Sequence, residues 1–317
     1  MPLLYWLESI RNPVLDSVMN VITKLGSEAL FMVIALTVFW CVNKKEGYYL
    51  LFVGFLGTIL NQFLKLLYQI PRPWVRDPKF TIVESARADA TGYSFPSGHT
   101  QNAVGTLGGI ARWQKQTWLR VVCIALLVLV SFSRMYLGVH TPMDVGVSFV
   151  IAAALVFILY PLVQSAADHP KRMYLLLACM CAVSLAFVLY ANLTDFRTVS
   201  TDANAIREEL ASIAEGRKNS YSLFGALLGF AAGYTIDRKY LHFDEKAVWW
   251  VQILKVAGGM GLVLAIKGGL KALFNAVGFT WLGSNAIRYF AVVLFASAVW
   301  PMVFPALSRL ASRRQHP

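Results

Sequence analysis

The chain has 317 residues, of which 57% are hydrophobic and only 15% are charged, and its net charge is +12. An ordinary soluble domain has about 25% charged residues, so a soluble fold of this length could not bury so much apolar surface. The composition therefore indicates a membrane protein and excludes a disordered chain, a disulfide-rich secreted domain and a coiled coil.

The first predicted element covers residues 2–24. It lacks a basic start, a compact apolar run and a small-residue cleavage site, so we do not expect a cleavable signal peptide. Its apolar residues recur at helical spacing with a break near Pro13. This pattern predicts a helix that lies in the plane of the membrane interface.

Hydrophobic segments then recur along the whole chain and predict an all-α, polytopic membrane bundle of about nine transmembrane helices. The segment 248–266 is the weakest, because Lys255 lies inside it. A helix that starts later, or a lysine that reaches the interface, is the favoured interpretation, and a functional buried lysine is the alternative. The predicted segments are 28–42, 47–67, 100–113, 118–132, 145–163, 173–191, 221–236, 248–266 and 286–304.

Basic residues concentrate in alternate short loops, which are expected to be cytoplasmic. The N-terminus and the long loops 68–99 and 192–220 then face outward, and apolar spacing in 192–220 predicts a short surface helix. Four cysteines lie in apolar segments and are interpreted as buried structural thiols instead of a metal site or a disulfide, and no cofactor is expected. The basic loop and tail residues are Lys44, Lys45, Arg112, Lys115, Arg120, Lys171, Arg172, Arg309, Arg313 and Arg314.

The first of three polar clusters at the membrane borders runs from Lys65 to Pro73, with Arg72 held between two prolines. Proline stiffens this turn, so the guanidinium is carried on a restrained segment of backbone. By itself the cluster also fits a lysine that reaches the interface beside a surface arginine.

The second cluster is the run Tyr93-Ser94-Phe95-Pro96-Ser97-Gly98-His99-Thr100, which is followed by a predicted helix. A helix N-terminus beside a glycine offers free N–H groups to an anion, and the Ser97 hydroxyl and the His99 imidazole can join them. The alternative is that Ser97 only caps the helix.

The third cluster contains Arg134, His140 and Asp144. If the chain is helical there, His140 and Asp144 share one face, and the carboxylate can fix the imidazole tautomer and favour nucleophilic attack by its other nitrogen. The predicted topology places all three clusters on the outer side of the membrane. Cations, two histidines and an aspartate that converge in this way are suited to phosphoryl transfer without a metal.

The pattern Lys65-x6-Arg72-Pro73, Pro96-Ser97-Gly98-His99 and Ser133-Arg134-x5-His140-x3-Asp144 resembles the three-part signature of the type 2 phosphatidic acid phosphatase superfamily. These integral-membrane lipid phosphate phosphatases are related in fold to vanadium haloperoxidases. The resemblance covers residues 10–163.

The resemblance implies a role for each matched residue. It assigns phosphate binding to five of them, namely Lys65, Arg72, Ser97, Gly98 and Arg134. It makes His99 the general acid, His140 the nucleophile that forms a phosphohistidine, and Asp144 the carboxylate that orients it. We accordingly expect a catalytic core in residues 1–166, including the interfacial helix, and additional transmembrane helices of unknown role in 167–317.

The predicted function is metal-independent hydrolysis of a lipid phosphomonoester or diphosphate at the outer membrane face. A lipid-linked phosphotransferase with the same site, and a lipid transporter or binding protein, remain as alternatives. Undecaprenyl diphosphate, phosphatidylglycerophosphate, phosphatidic acid and sphingoid-base phosphates all remain open as substrates.

The expected partners are the lipid bilayer and a membrane lipid phosphate, with no nucleic acid, and a homo-oligomer stays open. The absence of a cleavable signal and of a glycosylation-rich outer face favours a bacterial inner membrane. Most of the basic excess is then a topology signal, with three cations (Lys65, Arg72 and Arg134) reserved for the site.

Overall fold

The computed structural model describes residues 1–198 and 202–315, and of residues 310–315 it gives the helix backbone. Within these ranges the chain is helical and contains no β-strand, which confirms the predicted fold class. Its helices are α1 (Pro2–Ser9), α2 (Pro13–Lys24), α3 (Glu28–Thr37), α4 (Lys44–Tyr68), α5 (Pro73–Arg76), α6 (Gly98–Ala103), α7 (Gly109–Trp113), α8 (Thr117–Tyr136), α9 (Pro142–Ala167), α10 (Pro170–Leu193), α11 (Ala203–Ile236), α12 (Trp249–Ala276), α13 (Ser284–Leu294) and α14 (Phe304–Gln315).

Fewer helices can span a membrane than the nine predicted. In the described part of the chain, six helices are long and apolar enough to span a membrane. A seventh span is added only if Pro13–Lys24 and Glu28–Val42, which bend by 44°, count as one broken helix. The predicted number is therefore not confirmed, although the chain is an integral membrane protein. The six spans are Lys44–Arg76, Thr117–Tyr136, Pro142–Ala167, Pro170–Leu193, Trp249–Ala276 and Ser284–Arg309.

Two of the predicted spans fall short for different reasons. Residues 98–113 are helical, but a π-helical turn at Val104–Gly108 divides them and they are shorter than the ~20 residues that a straight span needs. The segment 221–236 is the last part of α11, whose first half is polar. The separate surface helix predicted in 192–220 is wrong, because residues 203–220 form the first part of α11, which continues without a break at position 220.

The N-terminal segment is broken near Pro13, as predicted. Asn12 ends the break and caps α2, since its Oδ1 accepts a hydrogen bond from the Leu15 N–H at 3.0 Å. Pro13 fills the first helical position, where a missing N–H is harmless. The helix packs on α8, and the Tyr136 hydroxyl donates to Asp16 Oδ1 at 2.9 Å.

The chain divides into two units. The first comprises residues 1–32, 50–162 and 190–217, and it contains all of the predicted site residues. A buried cluster in this unit joins Leu4 and Leu7 of α1 to Phe80 and Ile82 of the long loop before α6. This cluster anchors the loop that supplies several backbone groups to the site.

The second unit comprises residues 33–49, 163–189 and 218 onward. Lys255 is fully buried there, its Nζ donates to the carbonyls of Asp244 and Glu245 at 3.3 and 3.1 Å, and it lies 4.6 Å from the centre of the Phe304 ring. The expectation of a lysine at the interface is thus wrong, because this one satisfies loop carbonyls inside the protein. The expected burial of every cysteine is also wrong, since Cys179 is exposed.

Candidate functional site

The three predicted clusters meet within the first unit, where helix ends carry them. Lys65 lies near the end of α4, Arg134 near the end of α8, and Ser97 at the start of α6. Most of the predicted site residues are buried even though they are polar or charged. The buried ones are Lys65, Arg72, Ser97, Arg134, His140 and Asp144.

Arg72 holds the loop and the nucleophile candidate together. Its Nε donates to the Gly92 carbonyl at 3.0 Å, its Nη2 to the Thr91 carbonyl at 2.6 Å, and its Nη1 to the Val139 carbonyl at 2.9 Å. The same Nη1 lies 3.0 Å from His140 Nε2. The guanidinium of Arg72, which lies in the predicted stiff turn, is therefore bonded to the loop before α6 on one side and to the segment before α9 on the other.

The contacts of His140 define its tautomer. A guanidinium can only donate, so Nε2 accepts from Arg72 and the ring proton lies on Nδ1. Nδ1 is 3.5 Å from Asp144 Oδ2, and both side chains are almost completely buried. The imidazole thus directs its N–H toward a carboxylate and its lone pair toward an arginine.

Burial lowers the pKa of His140 well below its ordinary value, and the Arg72 charge lowers it further. Both effects disfavour a second positive charge at this position. The ring is therefore neutral near pH 7, which is the form that can act as a nucleophile.

Asp144 is fixed by the start of α9. Its Oδ2 accepts from the Thr141 N–H at 2.7 Å, while the Thr141 hydroxyl accepts from the Asp144 N–H at 3.3 Å. This reciprocal pair is a capping box in which aspartate takes the place of the usual glutamate or glutamine. The same Oδ2 accepts from the Ser94 hydroxyl at 2.6 Å.

A tight turn between α8 and α9 presents His140. Gly138 has a φ of +78°, and a Cβ there would lie 2.7 Å from Arg11 Nη2. Glycine is required at such a position, because side chains disfavour the left-handed region and the space is filled. The His140 and Val139 N–H groups then turn back to the Arg134 carbonyl at 3.3 and 3.2 Å.

Ser97 caps α6 through its hydroxyl oxygen. Oγ accepts from the Thr100 N–H at 3.4 Å and from the Thr100 hydroxyl at 3.1 Å, which leaves the Ser97 proton free to donate elsewhere. The Ser97 N–H donates to the Asp144 carbonyl at 3.1 Å and so links the second cluster to the third. Gly98 and His99 follow in the first turn, where N–H groups lack helical partners.

The two remaining cations, Lys65 and Arg134, differ in their hydrogen bonds. Lys65 Nζ donates to the Thr91 carbonyl at 3.2 Å. Arg134 donates from Nη1 to the Thr23 hydroxyl at 2.7 Å, whereas its buried Nε and Nη2 have no hydrogen-bond partner among the described residues.

A cavity of about 290 Å³ opens between these groups. Ser97, Arg134 and Asp144 are not among its lining residues. The cavity is lined, among others, by Lys65, Arg72, Gly98, His99, His140 and Asn61. Its size and its cationic lining suit a phosphate group with part of a headgroup.

Sequence reasoning missed several polar groups around this cavity. Thr23 and Asn61 lie outside all three clusters, and Ser94 lies within the second cluster, where the sequence assigned it no role. Asn61 Nδ2 donates to the Pro96 carbonyl at 3.3 Å, which fixes the segment before α6. Asn61 gave a weak signal as a polar residue within a largely apolar helix, whereas Thr23 gave none, because α2 also carries Asp16, Ser17 and Asn20.

A second cavity of about 270 Å³ shares Arg72 and Thr91 with the first. Glu208 and Glu215 of α11 contribute to its wall. The first part of α11 therefore lies beside the site, which the sequence did not predict. Close packing holds it there, because a Cβ at Gly216 would lie 2.6 Å from Leu66 Cδ2.

Comparison with known proteins gives two family matches. Residues 46–168 match the PAP2 superfamily, and residues 221–313 match the PAP2 superfamily phosphatase transmembrane extension. The chain is 33% identical over 156 residues to undecaprenyl-diphosphatase BcrC of Bacillus subtilis, which covers 48% of this chain and 77% of that protein.

Two further relatives have other named activities. Phosphatidylglycerophosphatase B of Bacillus subtilis is 32% identical over 164 residues, which is 47% of this chain and 75% of that protein. Sphingosine-1-phosphate phosphatase 1 of Rattus norvegicus is 27% identical over 259 residues, which is 78% of this chain and 58% of that protein. No solved structure matches the chain. With both profiles in order along the sequence, and with the predicted motifs inside the first, the chain belongs to the PAP2 superfamily of phosphatases.

Proposed function

We propose that the protein hydrolyses a membrane lipid phosphate through a phosphohistidine intermediate on His140. The observation that carries this proposal is the buried Arg72–His140–Asp144 arrangement, of which Arg72 and His140 line a cationic cavity. Binding alone would need the cations but would not need an imidazole backed by a carboxylate. The arrangement therefore favours catalysis over a transporter or a binding protein.

Five residues would bind the phosphate group. The N-terminus of α6 offers the N–H groups of its first turn and the Ser97 hydroxyl, and the cations neutralise the charge of the oxygens. Arg72 would transfer its Nη1 hydrogen bond from His140 to a phosphate oxygen when substrate binds, which frees the Nε2 lone pair. The proposed phosphate ligands are Lys65, Arg72, Ser97, Gly98 and Arg134.

The reaction would proceed in two steps. First, His140 Nε2 forms a bond to phosphorus as the bond from phosphorus to the lipid oxygen breaks, and His99 donates a proton to that oxygen. Asp144 stabilises the positive charge that develops on the imidazole. Second, His99 takes a proton from water, the water oxygen bonds to phosphorus, and the bond from phosphorus to His140 breaks to release inorganic phosphate.

The topology would place this site on the outer face of the membrane. The basic short loops indicate the cytoplasmic side, and the site residues lie at the opposite helix ends. We extend the proposal to a bacterial inner membrane, although the rat relative shows that the family also occurs in eukaryotes. Phosphate release from right-side-out and inverted vesicles, with a substrate added only from outside, tests the orientation, and release confined to inverted vesicles refutes it.

The substrate would be a lipid whose tail stays among the helices. The named relatives act on an undecaprenyl diphosphate, a phosphatidylglycerophosphate and sphingosine 1-phosphate, so the class extends over monoesters and diphosphates. We also retain the proposed division into a core at 1–166 and additional helices at 167–317.

The decisive experiment measures phosphate release by the purified protein from these lipids, with EDTA present. Wild-type protein and His242→Ala, which changes an exposed histidine of the second unit, should release phosphate, and His140→Ala should not. Activity that persists in H140A, or that requires added magnesium, refutes the mechanism. Phosphate found on an acceptor lipid instead of in solution would identify a phosphotransferase.

A further inference from the structure

The N-terminal helix α2 makes a direct contact with the site. Arg134 Nη1 donates to the Thr23 hydroxyl at 2.7 Å, and the two residues are 0% and 2% exposed. A hydrogen bond from a charged donor in such a buried place is stronger than one at the surface. It therefore restricts the orientation of the Arg134 guanidinium.

The other two nitrogens of that guanidinium remain available. Nε and Nη2 are buried and have no hydrogen-bond partner among the described residues. Buried charged donors without partners are costly, so they indicate a ligand that completes them. Nε and one Nη form the edge with which arginine binds two oxygens of a phosphate group.

The bend between α2 and α3 lies against the same site. A Cβ at Gly26 would be 2.7 Å from the His99 carbonyl oxygen, and Ser27 and Glu28 line the cavity. The bend is thus fixed to the wall that holds His99, and Thr23 precedes it by three residues. These residues lie outside the segment 46–168 that matches the family core.

We propose that Thr23 is a positioning residue, whose hydroxyl occupies Arg134 Nη1 and so directs Nε and Nη2 toward the substrate phosphate. This inference rests on the proposed phosphatase function. Thr23 does not touch the substrate and acts only through Arg134. The N-terminal helix is accordingly part of the catalytic site, in addition to any role at the membrane interface.

The test replaces Thr23 by valine, which keeps the β-branched shape but removes the hydroxyl. The loss of one hydrogen bond to a charged group corresponds to a decrease in kcat/KM on the order of 10-fold. Thr23→Ser restores the hydroxyl and should return kcat/KM toward the wild-type value. Thr235→Val is the matched control, because its hydroxyl donates to the Ala231 carbonyl of its own helix.

Inhibition by vanadate separates positioning from a general loss of structure. T23V should bind vanadate more weakly than wild type while its melting temperature stays close to that of T235V. A wild-type kcat/KM in T23V, or a loss that T23S does not restore, overturns the inference.

The outcomes also separate this inference from the proposed function. If wild-type protein releases no phosphate from any lipid but binds vanadate, the function fails, and the vanadate affinities of T23V and T23S still decide the role of Thr23. If wild-type protein neither turns over lipid nor binds vanadate, both proposals fall together.

Discussion

Removing the Ser94 hydroxyl tests whether Asp144 acts as the proposed orienting carboxylate. Ser94 Oγ donates to Asp144 Oδ2 at 2.6 Å, and both side chains are at most 2% exposed. In Ser94→Ala the carboxylate keeps the Thr141 N–H and loses this second donor. Its position relative to His140 Nδ1 is then defined by one contact fewer.

The expected magnitude follows from the kind of bond that is lost. A hydrogen bond to a charged group contributes about 1.5–3 kcal/mol, which corresponds to roughly a 10- to 150-fold change in rate if it is fully expressed in the transition state. Because Ser94 does not line the cavity, the loss should fall on kcat and leave KM nearly unchanged. Ser94→Thr keeps a hydroxyl and should retain more activity than S94A.

The assay is the release of phosphate by purified variants over a range of lipid concentrations. Ser131→Ala is the matched control, since that buried hydroxyl donates to the Leu127 carbonyl in its own helix. In an Asp144→Ala background, S94A should have little further effect, because the two residues act as one unit. A full additional loss in that background, or a change confined to KM, would refute the reasoning.

Three other predictions concern residues that line the cavity or lie against it. Arg72→Lys should reduce kcat/KM by about 100-fold, because an ammonium cannot replace a planar guanidinium that holds three carbonyls and His140; near-normal phosphate release would contradict it. The pKa of His140 is lowered, so the imidazole stays neutral to lower pH, and the acid limb of kcat/KM should lie below about pH 6.5. An acid limb above that value would show that burial and Arg72 do not control the ring. Gly26→Ala should lower the free energy of unfolding by about 1–3 kcal/mol, because the new methyl group would meet the His99 carbonyl and Val130 at 2.7 Å. Thermal melting in detergent checks this, and an unchanged melting temperature would mean that the bend can relax.

The sequence predicted which polar groups converge better than it predicted their local geometry. The motif spacings identified Lys65, Arg72 and His140, and the structure brings them to one cavity. The expectation that His140 and Asp144 share a helical face requires revision, since α9 begins only at Pro142. The two side chains meet because Thr141 caps the helix and holds Asp144 at its third position.

Contacts between distant segments could not be predicted from a single sequence. The Thr23–Arg134 pair joins residues that are 111 positions apart, and the Ser94–Asp144 pair joins residues that are 50 apart. Neither threonine nor serine is unusual in a membrane helix or a loop, so composition gives no signal. The predicted number of spans is not confirmed for a related reason, because hydropathy does not reveal that a π-helical turn divides 98–113.

Helix α11 contributes to the surroundings of the site but supplies none of its proposed catalytic residues. The core family match ends at 168, and the match to undecaprenyl-diphosphatase BcrC covers 48% of the chain. Yet the cavity beside Arg72 takes part of its wall from Glu208 and Glu215. A Cβ at Gly92 would be 3.7 Å from both Glu215 Oε2 and Lys65 Nζ, so a carboxylate lies near one of the proposed phosphate ligands. A negative charge there changes the field that a headgroup meets without altering the groups that break the bond. We therefore expect residues that select the substrate to lie in such a wall, outside the segment 46–168 that matches the family core.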